Sequence, residues 1–298
     1  MYDIGSLVAQ MLGETKTSVG LFAPELVLSG TIVLMLALRV VPGLNRIPTQ
    51  WVALLGAFAS FALTLCQFDR LVSGELQPPA TFFTGMLVFD QFATFFRMFL
   101  SLFLILTITL TVLTGIPDRD DAPDFYTLLL GSTIGMMIMA SANHLLMVFM
   151  GVEMTSVPSY AMVGFLKGRK KSSEAALKYV VYGAGAAGVM LYGISLLAGL
   201  TGTGSMPEMA ERLSLIVATN AGIGDATIRT ILLASMMVMV GLAFKLSIFP
   251  FIFGARMRLK VRLRKWRASC PSRRRRELSH CWSDLVCPSR ETPLLFQK

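Results

Sequence analysis

His144-Leu-Leu-Met-Val-Phe-Met-Gly-Val-Glu153-Met-Thr-Ser-Val-Pro158-Ser-Tyr-Ala-Met-Val-Gly-Phe-Leu166 is a run of 23 residues with a single acid in its middle. A bilayer core takes about 20 apolar residues per helix, so this run is long enough to cross one. A carboxylate placed there costs on the order of 3 kcal/mol, and such a group is rarely idle. Outward from this run, apolar stretches of similar length recur at about 21–41, 50–67, 91–114, 124–142, 175–200 and 229–251. Together they predict an all-α, polytopic membrane protein of about seven spans. The first 20 residues lack the basic start, short apolar run and small-residue site of a cleaved signal peptide.

Composition agrees. The 298 residues are 54% hydrophobic and 15% charged, against roughly a quarter charged in soluble domains. The formal charge of +9 belongs to one end of the chain. Residues 1–251 hold 14 Lys and Arg against 15 Asp and Glu, whereas residues 252–298 hold 13 against 3. With the N-terminus outside, the inner loops collect Arg39, Arg46, Arg119, Lys167, Arg169, Lys170 and Lys171, which satisfies the positive-inside rule. The loop from Thr201 to Arg229 carries a weak amphipathic run, Met206 to Val217, read as a short surface helix. Arg97, near the outer end of the third span, reads as a snorkelling side chain. His144 stands at a short outer turn and has no second histidine near it in sequence with which to build a metal site.

Two charges lie deep in predicted spans. Glu153 precedes Pro158 by five residues; Lys245, in Gly241-Leu-Ala-Phe-Lys-Leu-Ser-Ile-Phe-Pro250, precedes Pro250 by five. A proline frees a carbonyl one turn back and kinks or breaks the helix, which is tolerated where the backbone lines protein or a wet cavity. An acid and a base beside helix breaks suit a proton path; the alternative is an ion pair that only orients two helices. Lys178 follows Glu174 by four residues, the favourable order on a helix, and reads equally as a capped helix end. There is no CxxC pair, no GxGxxG after a strand, no GxxxxGK[ST] and no HExxH. Hence no flavin, nicotinamide, iron–sulfur cluster or metal is expected on this chain, and no nucleic acid as partner. Gly183-Ala-Gly-Ala-Ala-Gly188 reads as small residues for close helix packing.

Five segments carry a family resemblance: Asp124-Phe-Tyr-Thr-Leu-Leu-Leu130, Met139-Ala-Ser-Ala-Asn143, Gly151-Val-Glu-Met-Thr-Ser-Val-Pro158, Ser173-Glu-Ala-Ala-Leu-Lys-Tyr179 and Gly241 to Phe251. In order and spacing the chain resembles, over about residues 15–251, the N subunits of proton-pumping NADH:quinone oxidoreductase (respiratory complex I), the mitochondrial subunit 2 type. The related subunits of Mrp-type cation/proton antiporters share the core elements. The resemblance implies a fourteen-helix antiporter-like fold with broken helices. Residues 1–123 would form an N-terminal three-helix segment and 124–251 the first four helices of the proton-translocating repeat. It also implies that Glu153, Lys245 and Lys178 carry protons. NAD, flavin, iron–sulfur clusters and quinone would sit in other subunits, and the partners would be other membrane subunits and the lipid bilayer. The expected location is the bacterial inner membrane.

The resemblance stops after Phe251. Back-translated with permitted codons and shifted by one base, the tail returns H-F-W-C-P-D-A-F-E-G-A, close to the family's next motif. Residues 252–298 are therefore expected to be out-of-frame translation, and a chain so shortened is expected not to pump alone. The alternatives are a real basic tail on anionic headgroups, worth about 1 kcal/mol per charge, an antiporter subunit, or a fragment without activity.

Overall fold

The computed structural model describes residues 15–41, 48–74, 80–115, 122–165, 170–219 and 226–246. Eight helices carry the architecture: α1 (Ala23–Val40), α2 (Thr49–Val72), α3 (Gln91–Thr114), α4 (Ala122–Ala140), α5 (Leu145–Val163), α6 (Lys170–Thr201), α7 (Met206–Thr219) and α8 (Ala226–Lys245). Helix starts and stops follow the residues at the ends. Pro24 stands in the first turn of α1, where its missing N–H costs nothing. Asp90 caps α3 by accepting the Ala93 N–H at 2.6 Å, and Gly115 ends it in the left-handed conformation.

Helices α1, α2, α3, α5, α6 and α8 are long and apolar enough to cross a membrane. Seven spans were expected, and the fourth of them, α4, falls short of that apolarity. Tyr126, Leu130, Ile134, Met137 and Ile138 of this 19-residue helix are buried among α1, α2, α3 and α5. It is the enclosed helix of the bundle.

The packing is inverted relative to a soluble protein. On α2 the buried positions are Ala53, Gly56, Ala57, Ser60, Thr64, Gln67 and Leu71, small or polar in all but the last, while Trp51, Leu55, Phe58 and Leu65 face outward. In lipid, apolar burial gains little, so small and polar residues fill helix contacts and large apolar ones meet the acyl chains. Close approaches form at glycines. Gly135 of α4 lies on the Met154–Thr155 backbone of α5, and Gly193 and Gly241 bring α6 and α8 together against Ala234 and Met190.

Two features differ from the expectation. A two-stranded antiparallel hairpin, β1 (Ala80–Phe82) and β2 (Leu87–Phe89), stands among the helices of the described residues. It is stitched to the turn after α4: Val88 N–H donates to Ser141 O and Asn143 N–H to Met86 O. That turn also holds the far loop, through Met206 N–H to Asn143 O and Leu145 N–H to Gly204 O. The hairpin, the α4–α5 turn and α7 thus form one cap. The second difference concerns Pro158. Helix α5 runs through it unbroken, because packing of α4 against α5 supports the backbone there; Ser132 Oγ donates to Thr155 O at 3.5 Å. The break expected at Pro250, and the whole tail 252–298, lie outside the described residues. The surface helix expected from Met206 to Val217 is α7.

Candidate functional site

Glu153, Ser156 and Tyr160 recur at three- and four-residue spacing on α5, so they share one face. On α8 the contact stripe is Ala234, Val238 and Gly241, and Lys245 is the next position of the same stripe. Because α6 and α8 approach closely at Gly193 and Gly241, this stripe is pressed into the bundle and Lys245 reaches α5.

There the ammonium meets three acceptors. Lys245 Nζ donates to Glu153 Oε1 at 2.8 Å, Ser156 Oγ at 2.7 Å and Tyr160 OH at 3.0 Å. The side chains are 12% and 23% exposed for Lys245 and Glu153, so water reaches the pair only in part. The Tyr160 ring also stands 5.4 Å from Nζ, packs edge-on against Tyr179 with centroids 4.5 Å apart, and Tyr179 OH lies 3.4 Å from Ser159 Oγ. A lysine has three N–H donors, and all are used here. The arrangement is an acid and a base in contact within apolar surroundings, flanked by hydroxyls.

The structure joins two of the three expected site residues. Lys178 is not at the pair; it is bonded to Glu174 one turn back on α6, and its side chain is 45% exposed. His144 caps α5, its Nδ1 accepting the Leu146 N–H at 3.2 Å.

A second deep ion pair was not expected. Arg97 does not snorkel. Its Nε lies 2.8 Å from Glu25 Oε1, and both side chains are completely buried. Its other nitrogens donate to Leu21 O and Ser141 Oγ, each at 3.4 Å, and Gln67 Nε2 donates to the same Leu21 carbonyl at 3.2 Å. Glu25, Leu21, Ser141 and the Phe82 ring surround the guanidinium, which is fully enclosed in protein. Glu25 escaped notice although the signal was there: an acid and a base stand near the outer ends of the first and third apolar stretches. Ser156 and Tyr160 stand three and seven residues after Glu153, and that helical spacing is the sequence signal that groups them with it.

This geometry defines a class, the polytopic helical membrane proteins with an acid–lysine pair held between helices. A family model described as NADH:quinone oxidoreductase/Mrp antiporter, TM, matches residues 142–253. The subunit N 2 of NADH-quinone oxidoreductase from Chloroherpeton thalassium is 33% identical over 249 residues, covering 83% of this chain and 46% of that one. A chain of respiratory complex I from Thermus thermophilus superposes with a TM-score of 0.57 at 27% identity, over 78% of this chain and 45% of that one. A chain of the Mrp complex from Dietzia sp. DQ12-45-1b shares the fold, with a TM-score of 0.56 at 18% identity over 78% and 42% of the two chains. Over these spans the chain is similar to antiporter-like membrane subunits, and in particular to the N subunits of NADH-quinone oxidoreductase. It spans about half the length of the curated relatives it matches.

Proposed function

We propose that this chain is part of a proton-translocating subunit of NADH:quinone oxidoreductase, in which proton movement is coupled to electron transfer from NADH to quinone. The observation that supports it is the Lys245–Glu153 contact, formed between helices 92 positions apart in sequence and set among Ser156 and Tyr160. An ion pair that can be broken by one proton is a unit of transfer, and the two hydroxyls offset part of the cost of holding its ammonium away from water. Glu153 is the acid that receives the proton and Lys245 the base that passes it on. Lys178, on the accessible face of α6, is the next basic group of the relay. NAD, flavin, iron–sulfur clusters and quinone belong to companion subunits, and other membrane subunits pack on the lipid-facing helices. The site is the bacterial inner membrane, with the start of α1, the hairpin and α7 on the outer side.

In membranes holding the assembled complex, Glu153→Gln and Lys245→Ala each lower quinone-dependent proton uptake at least tenfold while the complex still assembles. Full uptake in both variants would return the pair to a helix-orienting role. The shared fold with an Mrp complex favours cation/proton exchange as the second reading. It predicts sodium-driven proton exchange in vesicles without any electron donor, which the first reading does not.

A further inference from the structure

The hydroxyl of Tyr160 reaches Lys245 by passing over α6 at Gly183. A Cβ built on Gly183 would lie 2.2 Å from the Tyr160 oxygen, 2.6 Å from Cζ and 3.1 Å from Cε1. No side chain fits there without moving the ring. Gly185 and Gly188, in the same small-residue run, face open space, with nothing within 4 Å of the corresponding position. General helix packing therefore does not explain Gly183; the hydroxyl does.

We propose that Tyr160 is a positioning residue for Lys245, and that Gly183 is the residue that places it. The inference rests on the proton-transfer reading of the Glu153–Lys245 pair. Of the three bonds made by the ammonium, one goes to an anion and two to neutral oxygens. When Glu153 takes up a proton, its hold on the ammonium weakens, and Ser156 and Tyr160 are what remain. Hydrogen bonds to a charged group are the strong ones. They keep Lys245 at the same place, charged, until its proton moves on, so that the pair reforms in register. Tyr160 is itself fixed: its ring is buried, packs edge-on against Tyr179 and closes over Nζ at 5.4 Å. With Tyr160 lacking its hydroxyl, the lysine follows Glu153 or swings away, and the cycle slows without any change in where quinone binds.

The test uses membranes carrying the assembled complex, with proton uptake per quinone reduced normalised to the amount of complex. Tyr160→Phe, which removes one oxygen and keeps the ring, lowers turnover about fivefold, within what one hydrogen bond to a charged group supports, and leaves the KM for quinone unchanged. Gly183→Ala has the same effect by displacing the hydroxyl. The double variant falls no further than Tyr160→Phe alone, whereas Gly185→Ala keeps full turnover. Wild-type turnover in Tyr160→Phe overturns the proposal, and so does a double variant whose loss is the product of the two single losses, since that is the signature of separate packing effects. If Gly183→Ala prevents assembly, the Tyr160→Phe arm decides by itself. A parallel Glu153→Gln sample separates the two levels: unchanged uptake there sinks the proton-transfer reading, while loss there with normal Tyr160→Phe sinks only the role of Tyr160.

Discussion

A single arginine shows how the surroundings decide what a residue does. Arg97 has the stem length of a snorkelling side chain, but Glu25, the Leu21 carbonyl and Ser141 hold it inside the bundle. A fully buried pair repays its desolvation only while both partners are present. Glu25→Gln or Arg97→Met alone leaves one uncompensated charge and is expected to destabilise the bundle by about 3–5 kcal/mol. The Glu25→Leu/Arg97→Met double variant recovers most of that loss. Unfolding followed by circular dichroism in detergent measures it; a double variant as weak as the worse single one would show that the pair stabilises beyond charge compensation. The Glu153 and Lys245 positions were legible in the sequence because each stands alone in a long apolar run. Glu25 and Arg97 were not, because each sits near a span end, where a single charged residue is ordinarily solvated. Lys178 illustrates the opposite limit: its helix partner Glu174 was readable from spacing, while its distance from the Glu153–Lys245 pair depends on tertiary packing.

Among the elements, the helices were legible and their contacts were not. Apolar length fixes where a helix starts and stops to within a few residues, as for the run 91–114 and α3. Which face packs depends on small residues, and those appear in a sequence wherever nothing large is needed. Gly241 is the case with consequences. A Cβ at that position would lie 2.5 Å from Met190 Cβ, so Gly241→Val must separate α8 from α6. Overpacking of this kind costs about 1–3 kcal/mol, and it also withdraws Lys245 from Glu153. The expected outcome is lower thermal stability together with lost proton uptake; a variant that keeps both would show that the helices can slide without moving the site. The hairpin was missed for a related reason. Ala80-Thr-Phe-Phe and Leu87-Val-Phe flank Thr84-Gly85, a short strand–turn–strand signal easily lost between two strong apolar spans. Pro158 was over-read: a proline weakens the local ladder, but the α4 backbone and Ser132 hold α5 on course.

For the whole molecule, the two ends of the bundle are chemically distinct. One carries the hairpin, the α4–α5 turn and α7; the other carries the exposed Arg39–Asp124 pair that joins the end of α1 to the start of α4. Exposed pairs contribute little, so Asp124→Ala changes stability by less than about 1 kcal/mol, a shift within the error of most detergent melts. Sidedness is the stronger test. On a background with the native cysteines replaced by serine, Thr84→Cys and Ser214→Cys react with an impermeant maleimide from one side, and Arg39→Cys only from the other. Labelling of Thr84→Cys and Ser214→Cys from opposite sides would contradict the cap.

The cap also orders the birth of the protein. The hairpin leaves the ribosome before its partners, since Ser141 and Asn143 supply the bonds that hold it to the α4–α5 turn, and Gly204 and Met206 bond that turn later still. Until the chain has been made through Asn143 the Val88 amide has no Ser141 carbonyl to bond, and until Met206 follows, the Asn143 carbonyl and the Leu145 amide lack their partners. The α4–α5 turn is therefore complete only once helices α1 to α6 have all been made.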